Sequence, residues 1–200
     1  MIIIGLCGGS GAGKGAIAAA FKSYGVPSID ADAVYRDLTV KGSSLLEELS
    51  REFGDDIISS DGSLNRKRLS EKVFSEEGRR SLLPKLNRIT HSAVIAETER
   101  RMEDIRLNGA AAVIFDAPQL FESGFDKKCD TVIAVTASRE VRIARIIKRD
   151  GISRERAEAR INAQLTDEFL AEHADFVIVN NGTEADITAV VSEVAKKINL

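Results

Sequence analysis

Cysteine is scarce in this chain. Cys7 and Cys129 are the two present, far apart and matching no metal-ligand spacing. No disulfide framework follows, and a reducing compartment suits such a sequence. Basic excess is also missing: 28 Lys and Arg stand against 31 Asp and Glu, a net charge of −3. No global field draws the protein to nucleic acid, so an anionic substrate must be met by local cations. Long hydrophobic runs are absent. The N-terminal IIIGL is too short for a membrane span or secretory signal, and no basic segment precedes it. The expectation is a cytoplasmic protein with no membrane and no nucleic-acid partner. Nothing in the sequence decides between monomer and homo-oligomer. There is no repeat, no low-complexity tract and no linker long enough to divide the chain. Its 200 residues suffice for one domain with insertions.

Short apolar runs alternate with helical patterns. IIIGL at 2–6, AAAVIFDA at 110–117, TVIAVTA at 131–137 and FVIVN at 176–180 are continuously apolar, as strands buried on both faces are. A further short strand is expected around Ser28 and Ile29. Helices are predicted over 14–24, 43–53, most of 65–108, 138–149, 153–171 and 184–198. In 43–53, Leu45, Leu46, Leu49 and Phe53 recur at helical spacing after a serine start. The alternation predicts an α/β doubly wound parallel sheet with ligands at the carboxyl ends of its strands. The helical stretch 41–108 is too long for a plain crossover and reads as an insertion for substrate recognition. The Arg-rich 142–171 reads as a second insertion, a mobile lid. The core then comprises about 1–40, 109–141 and 172–200.

Between the first strand and first helix lies GGSGAGKG, with Gly8-x4-Gly13-Lys14 in P-loop spacing. Glycines let backbone N–H groups turn inward around phosphate oxygens, and the helix N-terminus adds partial positive charge. Gly9, Gly11, Ala12, Gly13, Lys14, Gly15 and Ala16 are the expected phosphate-binding residues, with Lys14 reaching the β- and γ-phosphates. One residue departs from the pattern. Gly15 stands where a Ser or Thr hydroxyl ordinarily binds Mg²⁺, and Ala16 supplies none either. Magnesium keeps waters readily, so weaker metal affinity is expected before lost chemistry.

Two carboxylates follow in VPSIDADAVYRDL. Asp30 and Asp32 are two apart, and on an extended segment they point the same way. A carboxylate facing a γ-phosphate accepts a proton from an attacking hydroxyl or anchors magnesium. Asp116, ending an apolar run, resembles a Walker-B acid and is a second candidate metal ligand. Arg145 and Arg149 lie four apart, on one helix face, with guanidinium forks suited to phosphate. Asn180, with Gly182, is placed at the end of the last strand for contact with adenine.

Eight pieces in this order resemble the dephospho-CoA kinase family. They are GLCGGSGAGK at 5–14, IDADAVYR at 29–36, FGDDI at 53–57 with DGSLNRKRL at 61–69, and VFSEEGRRSLL at 73–83, then ITHSAVI at 89–95, VIFDAPQLFESG at 113–124, RIIKRDGISRERAEARINAQ at 145–164 and HADFVIVNNG at 173–182. The resemblance implies a nucleotide-binding core, a helical coenzyme A domain and a lid. It implies transfer of the ATP γ-phosphoryl group to the ribose 3′-hydroxyl of dephospho-CoA, with ATP and Mg²⁺ required. Asp32 matches the family's general base and Lys14 its P-loop lysine. Arg145 and Arg149 fall in the lid, with Arg145 against the transferring phosphate. By the same resemblance Arg66, His91 and Gln164 fall on the acceptor side or in the closed lid, and Asp32 and Asp116 on the acceptor side.

Cys7, Gly15, Ser92 and Gln119 depart from the family's usual Thr, Ser/Thr, Pro and Leu. These changes trim the metal site and leave Lys14, Asp32 and the arginines intact. Cys7 reads as a buried strand-end thiol beside a loop that could lower its pKa. Two other readings stand beside the leading one: a nucleoside or nucleotide kinase of the same architecture, and a catalytically weak sensor of ATP or coenzyme A. The region 53–95 argues against the first, and Gly15 favours the second.

Overall fold

The computed structural model describes residues 1–200, the side chain of Glu184 excepted. Its backbone forms two compact units, Met1–Asp30 with Met102–Leu200, and Ala31–Arg101.

The first unit carries one parallel five-stranded sheet. In chain order the strands are β1 (Ile2–Cys7), β2 (Ser28–Asp30), β3 (Ala112–Asp116), β4 (Thr131–Thr136) and β5 (Phe176–Val179). They lie side by side as β2-β3-β1-β4-β5. The four apolar runs form strands as expected, and those at β3 and β4 are covered on both faces. The run 176–180 is not, because β5 is an edge strand with Val177 and Val179 exposed. Every residue of β4 is buried, as are Ala112–Phe115 of β3. Helix α1 (Lys14–Phe21) and the closing helix α9 (Glu184–Lys197) cover one face. There Ile4, Leu6, Ile17, Phe21, Ile114, Ile133, Val191 and Val194 form a single apolar cluster. Chain order crosses over at β1, with β3 on one side and β4 on the other, so the loop after β1 opens at a switch point of the sheet.

The segment expected as one helix over 153–171 is two. Helix α6 (Arg139–Asp150) is followed by α7 (Arg154–Asn162) and α8 (Asp167–His173). The break has a local cause: Thr166 accepts from the Phe169 N–H at 3.2 Å and caps a fresh helix. Ile143, Ile146, Ala157 and Ile161 give α6 and α7 a small core of their own.

The second unit is helical: α2 (Ala31–Leu38), α3 (Ser44–Phe53), α4 (Arg66–Val73) and most of α5 (Glu76–Leu107). Ser43 caps α3 by accepting from the Leu46 N–H at 3.3 Å, and Asn65 caps α4 by accepting from the Arg68 N–H at 2.9 Å. Leu45, Leu46, Leu49 and Phe53 all turn inward, joined by Ile57, Leu64, Leu69 and Val73. One expectation fails here. Asp30 and Asp32 do not share an extended segment: Asp30 ends β2, whereas Asp32 lies in the first turn of α2. Register with β3 runs out at the Asp30–Asp116 pair. Beyond it, Val34 and Leu38 follow a helical spacing that the alternating aspartates masked.

Among the described residues no helix is long and apolar enough to cross a membrane.

Candidate active site

Strand β1 delivers the chain into the loop Gly8–Gly13. Gly11 and Gly13 have φ of 80° and 94°, the left-handed region where a side chain is strained. Gly13 is also the residue from which α1 starts. The loop is closed by the Ala12 N–H donating to the Gly9 carbonyl at 3.1 Å and the Ala16 N–H to the Gly13 carbonyl at 3.0 Å. Lys14 folds back over it. Its Nζ donates to the Gly8 carbonyl at 3.3 Å and stands 3.5 Å from Asp116 Oδ1. Both side chains are largely covered, with 15% and 19% of their surface exposed, so their attraction is poorly screened. An ammonium at the loop mouth, beside a carboxylate at the end of the neighbouring strand, suits binding of a polyphosphate and a divalent cation.

Four further residues meet the same loop. Arg145 Nη1 donates to the carbonyls of Gly11 (3.2 Å), Ala12 (3.3 Å) and Asn180 (3.0 Å). Asn180 is buried; its amide donates to the Ala12 carbonyl at 2.9 Å, and its Oδ1 accepts from Arg145 at 3.4 Å. Of the residues expected to meet the nucleotide, Asn180 therefore supports the loop in this conformation. Gln164 sits between α7 and α8, where its Oε1 accepts from the Ser10 N–H at 2.8 Å. Arg142 completes the group and is absent from the expectations above. It is 4% exposed and donates from Nε to the Ser10 carbonyl at 3.0 Å. Its position among the charged residues of α6 hides it in the sequence. A signal was present in retrospect: Arg142, Arg145 and Ile146 fall on one helical face, and the face that carries Ile146 is covered.

Arg149 is not among the loop contacts. Its side chain is 60% exposed, and its guanidinium is held in a fork by Asp150 at 2.7 and 2.8 Å. Hydrogen bonds from Arg149 and then Arg160 pull the Asp150 carboxyl down to about 2. Cys7 contradicts the idea of a lowered thiol pKa. Burial pushes it up to about 12, outweighing the opposing pull of Lys14.

In the helical unit, Arg66 opens α4. It donates to Thr39 Oγ1 at 3.1 Å and lies over the Tyr35 ring, 5.1 Å from its centroid. His91 lies on α5, partly covered, and Asp32 is exposed on α2.

Gly15 occupies the second position of α1. A Cβ built there meets nothing within 4 Å. Among the described residues there is no group of three His, Cys, Asp or Glu able to hold a metal ion. Asp116 beside Lys14 fits a magnesium ion that a nucleotide brings with its own waters, and no protein cage surrounds it among the described residues.

A parallel sheet whose central strand leads into this loop, with Lys14 over the loop and Asp116 at the adjoining strand end, defines a P-loop nucleotide-binding fold. Comparison with known proteins narrows the class. The model of the dephospho-CoA kinase family matches residues 2–186. A dephospho-CoA kinase of Corynebacterium glutamicum is 36% identical over all of both chains. Among solved structures, TT1252 from Thermus thermophilus superposes with a TM-score of 0.82 at 32% identity, covering 98% of this chain and 97% of that one. Dephospho-CoA kinase from Campylobacter jejuni does so with a TM-score of 0.69 at 26% identity, covering 98% and 96%. The chain belongs to the dephospho-CoA kinase family.

Proposed function

We propose that this kinase transfers the γ-phosphoryl group of ATP to the ribose 3′-hydroxyl of dephospho-CoA, giving CoA and ADP in the last step of coenzyme A biosynthesis. The observation that carries the reading is Lys14 drawn back over the Gly8–Gly13 loop, against Asp116. In that position its ammonium meets the β- and γ-phosphates of a nucleotide seated in the loop. Phosphoryl transfer asks the protein mainly to align the reactants and offset charge. The backbone N–H groups of Gly9, Gly11, Gly13, Lys14 and Gly15 are assigned to the cradle, and the Lys14 side chain supplies the fixed positive charge. Ala12 and Ala16, also expected there, turn their N–H groups to the carbonyls of Gly9 and Gly13. Arg145, on the loop's own carbonyls, is the cation that we assign to the transferring phosphate. Arg149 is a further cation for the nucleotide once it leaves Asp150.

Asp32 is the proposed general base, taking the proton of the ribose hydroxyl as it attacks phosphorus. Arg66, His91 and Gln164 are assigned to the acceptor side or the closed lid, with 41–108 as the acceptor-binding part and 142–171 as the lid. Asp116 and Asp32 are the carboxylates that we assign to magnesium, with water where Gly15 lacks a hydroxyl; the ion would supply charge neutralisation at the phosphates.

The deciding experiment is formation of CoA and ADP from ATP and dephospho-CoA across a magnesium titration. Gly15 keeps one rival in view. Tight ATP binding without CoA at any magnesium concentration makes the protein a sensor. Phosphorylation of nucleosides with no response to dephospho-CoA makes it a nucleoside kinase.

A further inference from the structure

Ser10, at the crest of the phosphate loop, has both of its backbone polar groups held from outside the loop. Its carbonyl accepts from Arg142 Nε at 3.0 Å, and its N–H donates to Gln164 Oε1 at 2.8 Å. The same guanidinium reaches Gln164 Oε1 through Nη2 at 3.4 Å and Asp167 Oδ1 through Nη1 at 2.9 Å. One buried side chain thus ties the loop to the turn between α7 and α8.

The loop's glycines accommodate this arrangement. A Cβ at Gly9 would collide with Arg142 Nη2, and one at Gly11 would come within 2.6 Å of the Arg142 carbonyl oxygen and 2.8 Å of its Cα. Arg142 therefore occupies space that two loop residues leave open. A buried arginine is costly unless its charge is paired and its donors are used. Asp167 pairs the charge, while Ser10 and Gln164 each accept one further N–H. Turning both polar groups of Ser10 outward fixes the peptide planes on either side of it. The next N–H, that of Gly11, belongs to the phosphate cradle proposed above.

We propose that Arg142 is a positioning residue for the nucleotide: anchored by Asp167, it sets the Ser10–Gly11 backbone and so couples the α7–α8 turn to phosphate affinity. It touches no reacting atom and acts through the loop. The inference rests on the nucleotide-binding reading of the Gly8–Gly13 loop and not on the identity of the acceptor.

The test is calorimetric titration with ATP, and separately with dephospho-CoA, of the full chain and two variants. Arg142→Met is expected to weaken ATP at least tenfold, with dephospho-CoA affinity within twofold of the parent. Asp167→Asn keeps an acceptor oxygen but loses the charge, and is expected to weaken ATP by a smaller factor. In nucleotide-free protein, Arg142→Met is also expected to speed amide exchange over residues 8–13 and 163–167 together. Unchanged ATP affinity in folded Arg142→Met overturns the proposal. A parallel fall in both affinities does so too, because general loosening produces that pattern. Should Arg142→Met fail to fold, Arg142→Lys carries the measurement. A lysine reaches Asp167 but cannot hold Ser10 and Gln164 as well, so parental ATP affinity in it overturns the proposal. A parent chain that binds ATP and not dephospho-CoA sinks the acceptor reading alone, and the ATP ratio still decides the role of Arg142.

Discussion

Lys14, the first residue of α1, and Asp116, at the carboxyl end of β3, face each other at 3.5 Å although far apart in sequence. The pair holds the loop lysine in place and puts a carboxylate beside it. Replacing Asp116 by Asn is expected to raise the magnesium concentration for half-maximal rate about tenfold or more, since a candidate metal ligand loses its charge. A magnesium titration of CoA formation checks this; an unchanged requirement removes Asp116 from the metal site.

Gly15 offers the converse experiment. With nothing within 4 Å of a built Cβ, a serine fits there without repacking. It should also favour α1 by roughly 0.5 kcal/mol, the difference in helix propensity between Gly and Ser. Gly15→Ser is expected to lower the half-saturating magnesium concentration and to leave the melting temperature equal or higher. A raised requirement would mean that another group already fills that coordination position.

Asp32→Asn should cut turnover by about 10²- to 10⁴-fold, the usual range for a general base, while ATP binding persists. Single-turnover rates alongside ATP titration separate the two effects. Full activity in the variant rules out the assigned role.

Arg66 is expected to act on the acceptor alone. Loss of a charge-assisted contact costs about 1.5–3 kcal/mol, so Arg66→Ala should raise the KM for dephospho-CoA roughly tenfold or more. The KM for ATP should not move. If both rise together, loss of the Tyr35 and Thr39 contacts within the helical unit is the better explanation.

The two thiols predict an alkaline effect. Burial raises both Cys7 and Cys129 from 9.0 to about 12 in the folded protein. The unfolded chain therefore releases these protons first. Stability from this source is complete below pH 9 and is lost as pH rises from about 9 toward 12. Denaturation midpoints followed across pH 8–11 should fall accordingly, with a smaller fall in Cys7→Ala. Native-state alkylation at pH 8 should be slow at both positions and fast in denaturant.

Much of this was readable along the chain. Continuous apolar runs named the strands; for β3 and β4 the reason is cover on both faces, whereas edge strand β5 leaves Val177 and Val179 exposed. The glycines and Lys14 announced a P-loop, because its spacing is a local pattern; the side chains that hold it, Arg142, Arg145, Gln164 and Asn180, come from elsewhere in the chain. The family resemblance carried by eight ordered motifs agreed with the family match. Asp32 was harder: two aspartates at i and i+2 suggested an extended segment, while the helix was written in Val34 and Leu38.

Sequence alone determined most of the elements, the glycine loop motif and the missing hydroxyl at Gly15, all properties of residues near one another in the chain. The break at 163–166 and the helix carrying Asp32 were not read from it. Tertiary structure decided which arginine meets what. Arg142, Arg145 and Arg149 sit on one helix and look alike in sequence. Folding buries the first against Ser10 and Asp167, sets the second on the carbonyls of Gly11, Ala12 and Asn180, and leaves the third with Asp150. The reason is physical: a guanidinium's role is set by the acceptors around it, and for two of these three those acceptors come from distant parts of the chain.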